Sequence, residues 1–231
     1  MKLIEAIKAR HSVRQYIHKP LSEQAISTLQ NEITECNKQG NLHIQLVINE
    51  AKAFKGFASY GKFTGVENYL IMAGRKAPDL DERIGYYGER IVLIAQSIGL
   101  NTCWVGMTYK KISTAFSLND KEKVVCAIAI GYGKTQGIKR RSKSISEISN
   151  ATQNSPEWFK QGIEAVLQAP TAVNQQKFYF TLTDKSPDMN KPIIIAKKQF
   201  SLIGYTKIDL GIAKQHFEIA AGKGNFTWGD I

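Results

Sequence analysis

The chain has 231 residues, 43% apolar, 10% aromatic and 22% charged, enough for one large domain or two smaller ones sharing a core, and too apolar for wholesale disorder. No apolar run approaches the roughly 20 residues that a bilayer-spanning helix needs, and the first ten residues lack the uninterrupted apolar stretch of a secretion signal, so a cytoplasmic location is the default expectation. Lys and Arg outnumber Asp and Glu by 31 to 20, a formal charge of +11, which brings a polyanion or a phosphorylated small molecule into consideration.

The spacing of Leu3, Ile4 and Ile7 predicts a helix over residues 2–9. A second is expected over 22–38, with Ser22 as N-cap, Ile26, Leu29 and Ile33 along one face, and Gly40 as its stop. Strands are expected at 43–48 and 68–73, separated by a glycine-and-aromatic loop, Lys55-Gly56-Phe57 and Tyr60-Gly61-Lys62-Phe63. Pro78-Asp79 open a long helix to about Ser97, which Gly99 closes. An extended piece at 102–107, a small helix near 112–116 and a β-rich run at 124–130 follow, entering Gly131-Tyr132-Gly133.

Residues 134–155 are rich in Lys, Ser, Asn and Thr and read as a surface connection. Beyond them, Ser155 as N-cap and Pro156 in the first turn open a helix to Gln168, broken by Ala169-Pro170. Strands are expected at 178–183 and 193–197, then a long helix at 207–221 ended by Gly222 and Gly224, then an extended piece at 225–228. Both halves share the order helix, strand, strand, long helix, short strand. Their long-helix segments also match: Tyr87-Gly88 through Val92, Ile94 and Ala95 to Trp104, against Ile212-Ala213 through Phe217, Ile219 and Ala220 to Trp228, with a single-residue gap. Internal duplication explains both features, with one subdomain at 1–150 and a shorter one at 151–231. An α+β domain that merely repeats the order is the alternative.

Four segments can carry chemistry. Arg10-His11-Ser12-Val13-Arg14 places two guanidinium forks and a hydroxyl where they can converge on an anion, although basic residues also simply favour a helix C-terminus. Ala169 to Lys177 is a loop of small and amide side chains, able to meet a heterocycle edge that both donates and accepts. In Gly99 to Gly106, Trp104 supplies an apolar wall and Gly106 permits close backbone approach. The run Lys139-Arg140-Arg141-Ser142-Lys143 follows a strand end, where cations can close over a phosphate or stay solvated. The three cysteines, Cys36, Cys103 and Cys126, are far apart, lack CxxC spacing and offer no metal framework.

In this order the segments resemble the FMN-dependent nitroreductase superfamily. Arg10-His11-Ser12-Val13-Arg14 looks like its Arg-x-Ser-x-Arg/Lys signature after an N-terminal helix. Ala169-Pro170-Thr171-Ala172-Val173-Asn174-Gln175-Gln176 is similar to its Ala-Pro-Ser-Ser-x-Asn-x-Gln-Pro-Trp segment, with Lys177 and Phe178 in place of Pro and Trp. Gly99 to Gly106 looks like its Gly-Leu-x-x-Cys-Trp-x-Gly stretch. The Ala-Pro segment is displaced, however. In the family it follows the second helix, and a partner subunit supplies it to a flavin at the dimer interface; here residues 36–45 carry no such motif, which appears only after residue 168. The pattern is that of the two-subdomain, single-chain nitroreductases, in which one chain imitates the dimer.

The resemblance implies an α+β, nitroreductase-like fold with antiparallel-type sheets flanked by helices. It also implies an FMN enzyme using NADH or NADPH, in a ping-pong cycle, to reduce nitroaromatics, quinones or similar flat electrophiles. Arg10 and Ser12, with Arg140, Arg141 or Lys143, would bind the phosphate and ribityl chain, and His11 lies in the same stretch without a role of its own. Arg14 would approach the N1–C2=O edge, where a fixed cation favours the charge arriving with the hydride. Val105 and Gly106 would face N5, and Pro170, Thr171, Ala172 and Asn174 would contact the ring from the second half. Arg14 and Gly106 are thus the candidate catalytic positions; no metal, membrane or nucleic acid is required, and the chain is expected as a monomer or loose homodimer. Two other readings compete: a flavin-binding sensor or carrier without turnover, and a basic nucleic-acid-binding module. The latter finds no helix-turn-helix, RRM or zinc pattern in its favour.

Overall fold

In the computed structural model, residues 1–56, 63–138, 140–183 and 191–229 are described. The glycine-and-aromatic loop falls mostly outside them, at 57–62, as does Lys139 of the basic run.

The first lobe opens with α1 (Leu3–Ala9) and α2 (Glu23–Gly40). Ser22 caps α2, its hydroxyl accepting the Ala25 N–H at 3.2 Å. Gly40 does not stop this helix; it is the last helical residue, and Asn41 turns the chain with a left-handed φ of 47°. Then come β1 (Gln45–Val47), β2 (Asn68–Arg75), α3 (Leu80–Ser97), β3 (Asn101–Val105) and β4 (Glu122–Gly131). These strands form an antiparallel sheet in the order β1-β2-β4-β3. In β2, Leu70 and Met72 face the core under α2 and α3, while Tyr69 and Ile71 face a second apolar cluster holding Val13, Phe54 and Val105. Burial on both faces explains why β2 and β4 read as near-continuous apolar runs.

No helix forms at 112–116. The Ala115 N–H reaches the Ile112 carbonyl at 3.0 Å, closing one turn around Ser113 and Thr114. Five residues with two β-turn formers and little apolar periodicity cannot offset helix nucleation. The 134–155 connection is more structured than expected: α4 (Ile145–Ile148) carries a Ser144/Glu147 capping box and buries Ile148 completely.

The second lobe contains α5 (Glu157–Val166), β5 (Phe178–Thr183), β6 (Ile193–Lys198), α6 (Thr206–Ala221) and β7 (Thr227–Trp228). Pro156, not Ser155, takes the N-cap position of α5 at φ −54°, ψ 144°, because its ring fixes φ there and its missing N–H costs nothing at a helix start. The helix also ends at Val166, short of Gln168. β5 and β6 pair antiparallel, but β6 and β7 pair parallel. The long α6 crossover between them makes parallel pairing possible.

The lobes join where α3 crosses α6. A Cβ on Gly85 would overlap the Ile208 carbonyl oxygen and crowd the Ile212 nitrogen; a Cβ on Gly211 would overlap the Glu82 carbonyl oxygen and crowd the Tyr86 nitrogen. Glu82, Gly85 and Tyr86 thus map onto Ile208, Gly211 and Ile212, each 126 positions later, so the crossing has local two-fold character. Pairing Tyr87 with Ile212 in sequence is one residue out of this register. One apolar core runs through the crossing, from Leu29 and Ile33 on α2 to Phe159, Phe178, Phe180 and Phe217 in the second lobe.

Candidate functional site

Beyond α1 the chain becomes extended, with Arg10 at φ −68°, ψ 130°. It runs beside β3, bridging Ser12 to Thr102 in parallel, with the Val13 N–H donating to the Thr102 carbonyl at 3.0 Å. Val13 and Tyr16 point into the core, and the Tyr16 hydroxyl donates to the Val13 carbonyl at 2.7 Å. Ser12 and Arg14 line the cavities on the other side. A short stretch next to a helix end therefore acts as an extra strand, with its polar side chains alternating toward one side.

The facing wall comes from the second lobe. After Pro170 the backbone enters left-handed conformations at Val173, Asn174 and Gln176, with φ of 45°, 58° and 47°. For a β-branched residue such as Val173 this is a strained geometry, of a kind that accumulates at ligand-binding segments. Asp209 on α6 holds the loop: its Oδ1 accepts the Ala172 N–H at 3.0 Å and its Oδ2 accepts from Gln175 Nε2 at 2.7 Å. The Thr171 hydroxyl accepts the Gln176 N–H at 3.1 Å. Burial pushes the Asp209 carboxyl up to about 6, against the pull of those two donors.

Two adjoining cavities lie between these walls and share Ser12, Arg14, Pro170, Thr171 and Val173. One, of about 300 Å³, is polar, and Arg10, Arg140 and Asn174 add to its lining. Arg10 is 7% exposed, and its Nε and Nη1 are buried without a hydrogen-bond partner among the described residues. Arg140 donates from Nη2 to the Leu167 carbonyl at 2.7 Å, and burial with the nearby Arg10 charge lowers its pKa to about 10. Two guanidinium groups repelling each other, one with orphaned donors, make a cradle short of an anion. The residues present therefore fit a phosphate group.

The other cavity, of about 290 Å³, is mostly apolar, with Trp104, Val105, Gly106, Tyr205, Ile208 and Ile212 among its lining. Gly106 is where the walls nearly meet: a Cβ there would stand 2.6 Å from Tyr205 Cζ. At the rim, Met107, Val173 and Ile203 are exposed. An apolar slot reached by Arg14 at one edge fits a planar heterocycle.

Of the residues singled out in the sequence, Arg10, His11, Ser12, Arg14, Arg140, Pro170, Thr171 and Asn174 line the polar cavity. Ser12, Arg14, Val105, Gly106, Pro170, Thr171 and Ala172 line the apolar one. Arg141 and Lys143 line neither. The Arg141 carbonyl accepts from Asn174 Nδ2 at 2.8 Å, while Lys143 Nζ donates to the Gln176 carbonyl at 2.8 Å, so both serve to fasten the loop. Sequence reasoning missed Tyr205, Asp209, Glu89 and His216. The last two were visible only as polar residues interrupting the apolar stripes of long helices. Among the described residues there is no cluster of metal-ligating side chains, and no helix is long and apolar enough to cross a membrane.

A family model described as "Putative TM nitroreductase" matches residues 2–221. A "putative nitroreductase" of Thermotoga maritima superposes with a TM-score of 0.61 at 23% identity, covering 95% of this chain and 83% of that one. A "putative nitroreductase in complex with FMN" from Desulfovibrio desulfuricans gives a TM-score of 0.51 at 15% identity, covering 67% of this chain and 96% of its own. A "Putative NADH dehydrogenase/NAD(P)H nitroreductase" of Bacteroides thetaiotaomicron gives 0.50 at 20% identity, covering 63% and 95%. No curated protein sequence matches. At these identities the solved structures show the fold, a nitroreductase-like α+β architecture; the match from residue 2 to residue 221 shows that the chain belongs to the nitroreductase family which that model describes.

Proposed function

We propose that the chain is an FMN-dependent oxidoreductase that takes electrons from NADH or NADPH and passes them to a flat electrophile such as a nitroaromatic or a quinone. Residues 1–150 would supply the cations and the β3 edge, and residues 151–231 the covering loop. The observation that carries the reading is the joining of a cation-lined cavity to an apolar slot, with Ser12, Arg14, Pro170, Thr171 and Val173 common to both. That is the outline of a phosphate-bearing planar cofactor.

In this reading Arg10, Ser12 and Arg140 hold the phosphate end. Arg14, whose guanidinium makes no hydrogen bond or ion pair with a described residue, is free to meet the ring's polar edge. Val105 and Gly106 present backbone to the slot, and Pro170, Thr171 and Ala172 close it from the second lobe. FMN, when bound, supplies the acceptance and release of hydride; the residues around it bind, orient and exclude water. The exposed Met107, Val173 and Ile203 at the rim favour an apolar, planar partner for the redox step.

The purified protein is expected to be yellow, to release FMN on denaturation and to bleach anaerobically with NADH or NADPH. Changing Arg10 and Ser12 together to Ala should weaken FMN at least about a hundredfold, consistent with losing two charge-assisted contacts, with the far-UV spectrum unchanged. A flavin titration showing undiminished affinity would place the phosphate elsewhere.

A further inference from the structure

The interior behind the polar cavity contains a charged group that the proposed chemistry does not use. Glu89 on α3 and His216 on α6 are both fully buried. His216 Nδ1 lies 3.0 Å from the Ala165 carbonyl oxygen, and its Nε2 lies 2.9 Å from Glu89 Oε1. The other Glu89 oxygen accepts from the Trp104 indole N–H at 2.8 Å. Arg10 Nε stands 3.5 Å from Glu89 Oε1, at ion-pair range but without a hydrogen bond. Five elements meet here: the end of α1, then α3, β3, α5 and α6.

Hydrogen-bond chemistry restricts where the protons lie. A carbonyl oxygen only accepts, so His216 Nδ1 carries a hydrogen. Two lone pairs do not face each other at 2.9 Å, so a second proton lies between Nε2 and Oε1. The Trp104 N–H and the Arg10 guanidinium both favour negative charge on Glu89, as does Arg140, which also feels that charge. That leaves the second proton on the imidazole.

We propose that Glu89 is the positioning residue of the cofactor clamp, its charge cancelled by a buried imidazolium at His216 so that Arg10 is held in place without being neutralised. The proposal rests on the reading of Arg10 as a phosphate ligand. Glu89 has two positive neighbours, and it gives its short hydrogen bond to His216 and only a long contact to Arg10. Arg10, which lines the polar cavity, consequently keeps Nε and Nη1 without a hydrogen-bond partner among the described residues. The same carboxylate fixes Trp104, a wall of the apolar slot. One buried group thereby aligns both ends of the site, and His216 makes that alignment depend on the second lobe.

The test uses full-length protein, with and without FMN. Long-range ¹H–¹⁵N spectra at pH 8 should show one histidine protonated on both ring nitrogens, assigned by its absence in H216Q. In E89Q that ring should become neutral with its hydrogen on Nδ1. FMN affinity, read by flavin fluorescence, should fall about tenfold in E89Q and should fall no further when E89Q is added to R10A. A neutral His216 in the unaltered protein overturns the proposal, and so does unchanged affinity in E89Q where R10A weakens binding. If E89Q does not fold, H216Q substitutes for it: it keeps a donor toward Glu89 but no charge, and the same loss, absent in an R10A background, is expected. An R10A variant that binds FMN normally would instead overturn the phosphate assignment beneath the proposal, whatever His216 shows.

Discussion

Replacing Asp209 by Asn tests whether the strained loop is fastened to α6 by a buried carboxylate. Asp209 is 2% exposed, and its carboxyl is raised from an ordinary 3.8 to about 6, chiefly by burial. At pH 5 the folded chain therefore still holds a proton that the unfolded chain has released. The contribution of this group to stability is complete below about pH 4 and is lost as the pH rises through 6. The difference between 3.8 and about 6 corresponds to at most roughly 3 kcal/mol, at 1.36 kcal/mol per pH unit. In D209N that loss disappears. The new amide can still accept the Ala172 N–H, and Gln175 can turn its buried, unpartnered Oε1 toward it, giving up its bond to the Gly204 carbonyl at a cost of about 1 kcal/mol. Urea unfolding of both FMN-free proteins between pH 4 and pH 7.5 should show D209N gaining on the unaltered chain by about 1–3 kcal/mol as the pH rises, the gain growing up to the folded value of about 6 and levelling off above it. Two stability curves that stay parallel would refute the reasoning, because an uncoupled surface carboxylate would give that result.

R140A should weaken FMN about tenfold or more, whereas R141A, whose side chain lines neither cavity, should stay within about twofold in the same flavin titration; equal losses would erase the distinction between the two arginines. Gly85→Ala and Gly211→Ala should each cost about 1–3 kcal/mol through overpacking against a backbone carbonyl, or roughly 2–10 °C in Tm, with the double variant losing less than the sum. An unshifted melting curve for either would mean that the helices have room to spare. R14A should lower the two-electron potential of bound FMN by about 30 mV or more, equivalent to about 1.4 kcal/mol of lost charge stabilisation; a potentiometric titration without a shift removes Arg14 from the ring edge.

Local features were legible in the sequence, and features made by distant contacts were not. Leu3, Ile4 and Ile7, the Ser22 cap and the apolar runs of β2 and β4 announced their elements because each signal lies within a few residues. Arg10, Ser12 and Arg14 could be picked out for the same reason: three polar groups on alternate positions of one short stretch. Which of Arg140, Arg141 and Lys143 lines the polar cavity depends on the path of an irregular loop, which leaves no periodic trace. Glu89 and His216 gain their meaning only from each other, across 127 positions. The repeated element order was legible, but the sequence pairing of the two long helices is one residue out of the register at the Gly85–Gly211 crossing, because an apolar stripe with a 3.6-residue repeat overlaps itself well after a shift of one.

The strained loop explains why the second half can be so much smaller than the first. Left-handed conformations at Val173, Asn174 and Gln176 each cost about 1–3 kcal/mol and persist only where their surroundings over-determine them. Here Asp209, Thr171 and the Arg141 carbonyl hold the loop, while α5 and the β5-β6-β7 sheet pack Phe159, Phe178 and Phe180 around the α6 that carries Asp209. Apart from this loop, the described residues of the second lobe that line the apolar cavity are Ile203 and Tyr205 just before α6 and Ile208, Asp209 and Ile212 on it. The second lobe therefore needs only enough core to keep α6 rigid, and α6 needs only the Gly85–Gly211 crossing to aim it. Because the loop and the cations belong to one chain, their meeting is an intramolecular contact whose translational cost is met by chain connectivity. A lobe made of one small sheet, α5 and the α6 that carries Asp209 is thus sufficient to hold this loop across the cavities from Arg10 and Arg14.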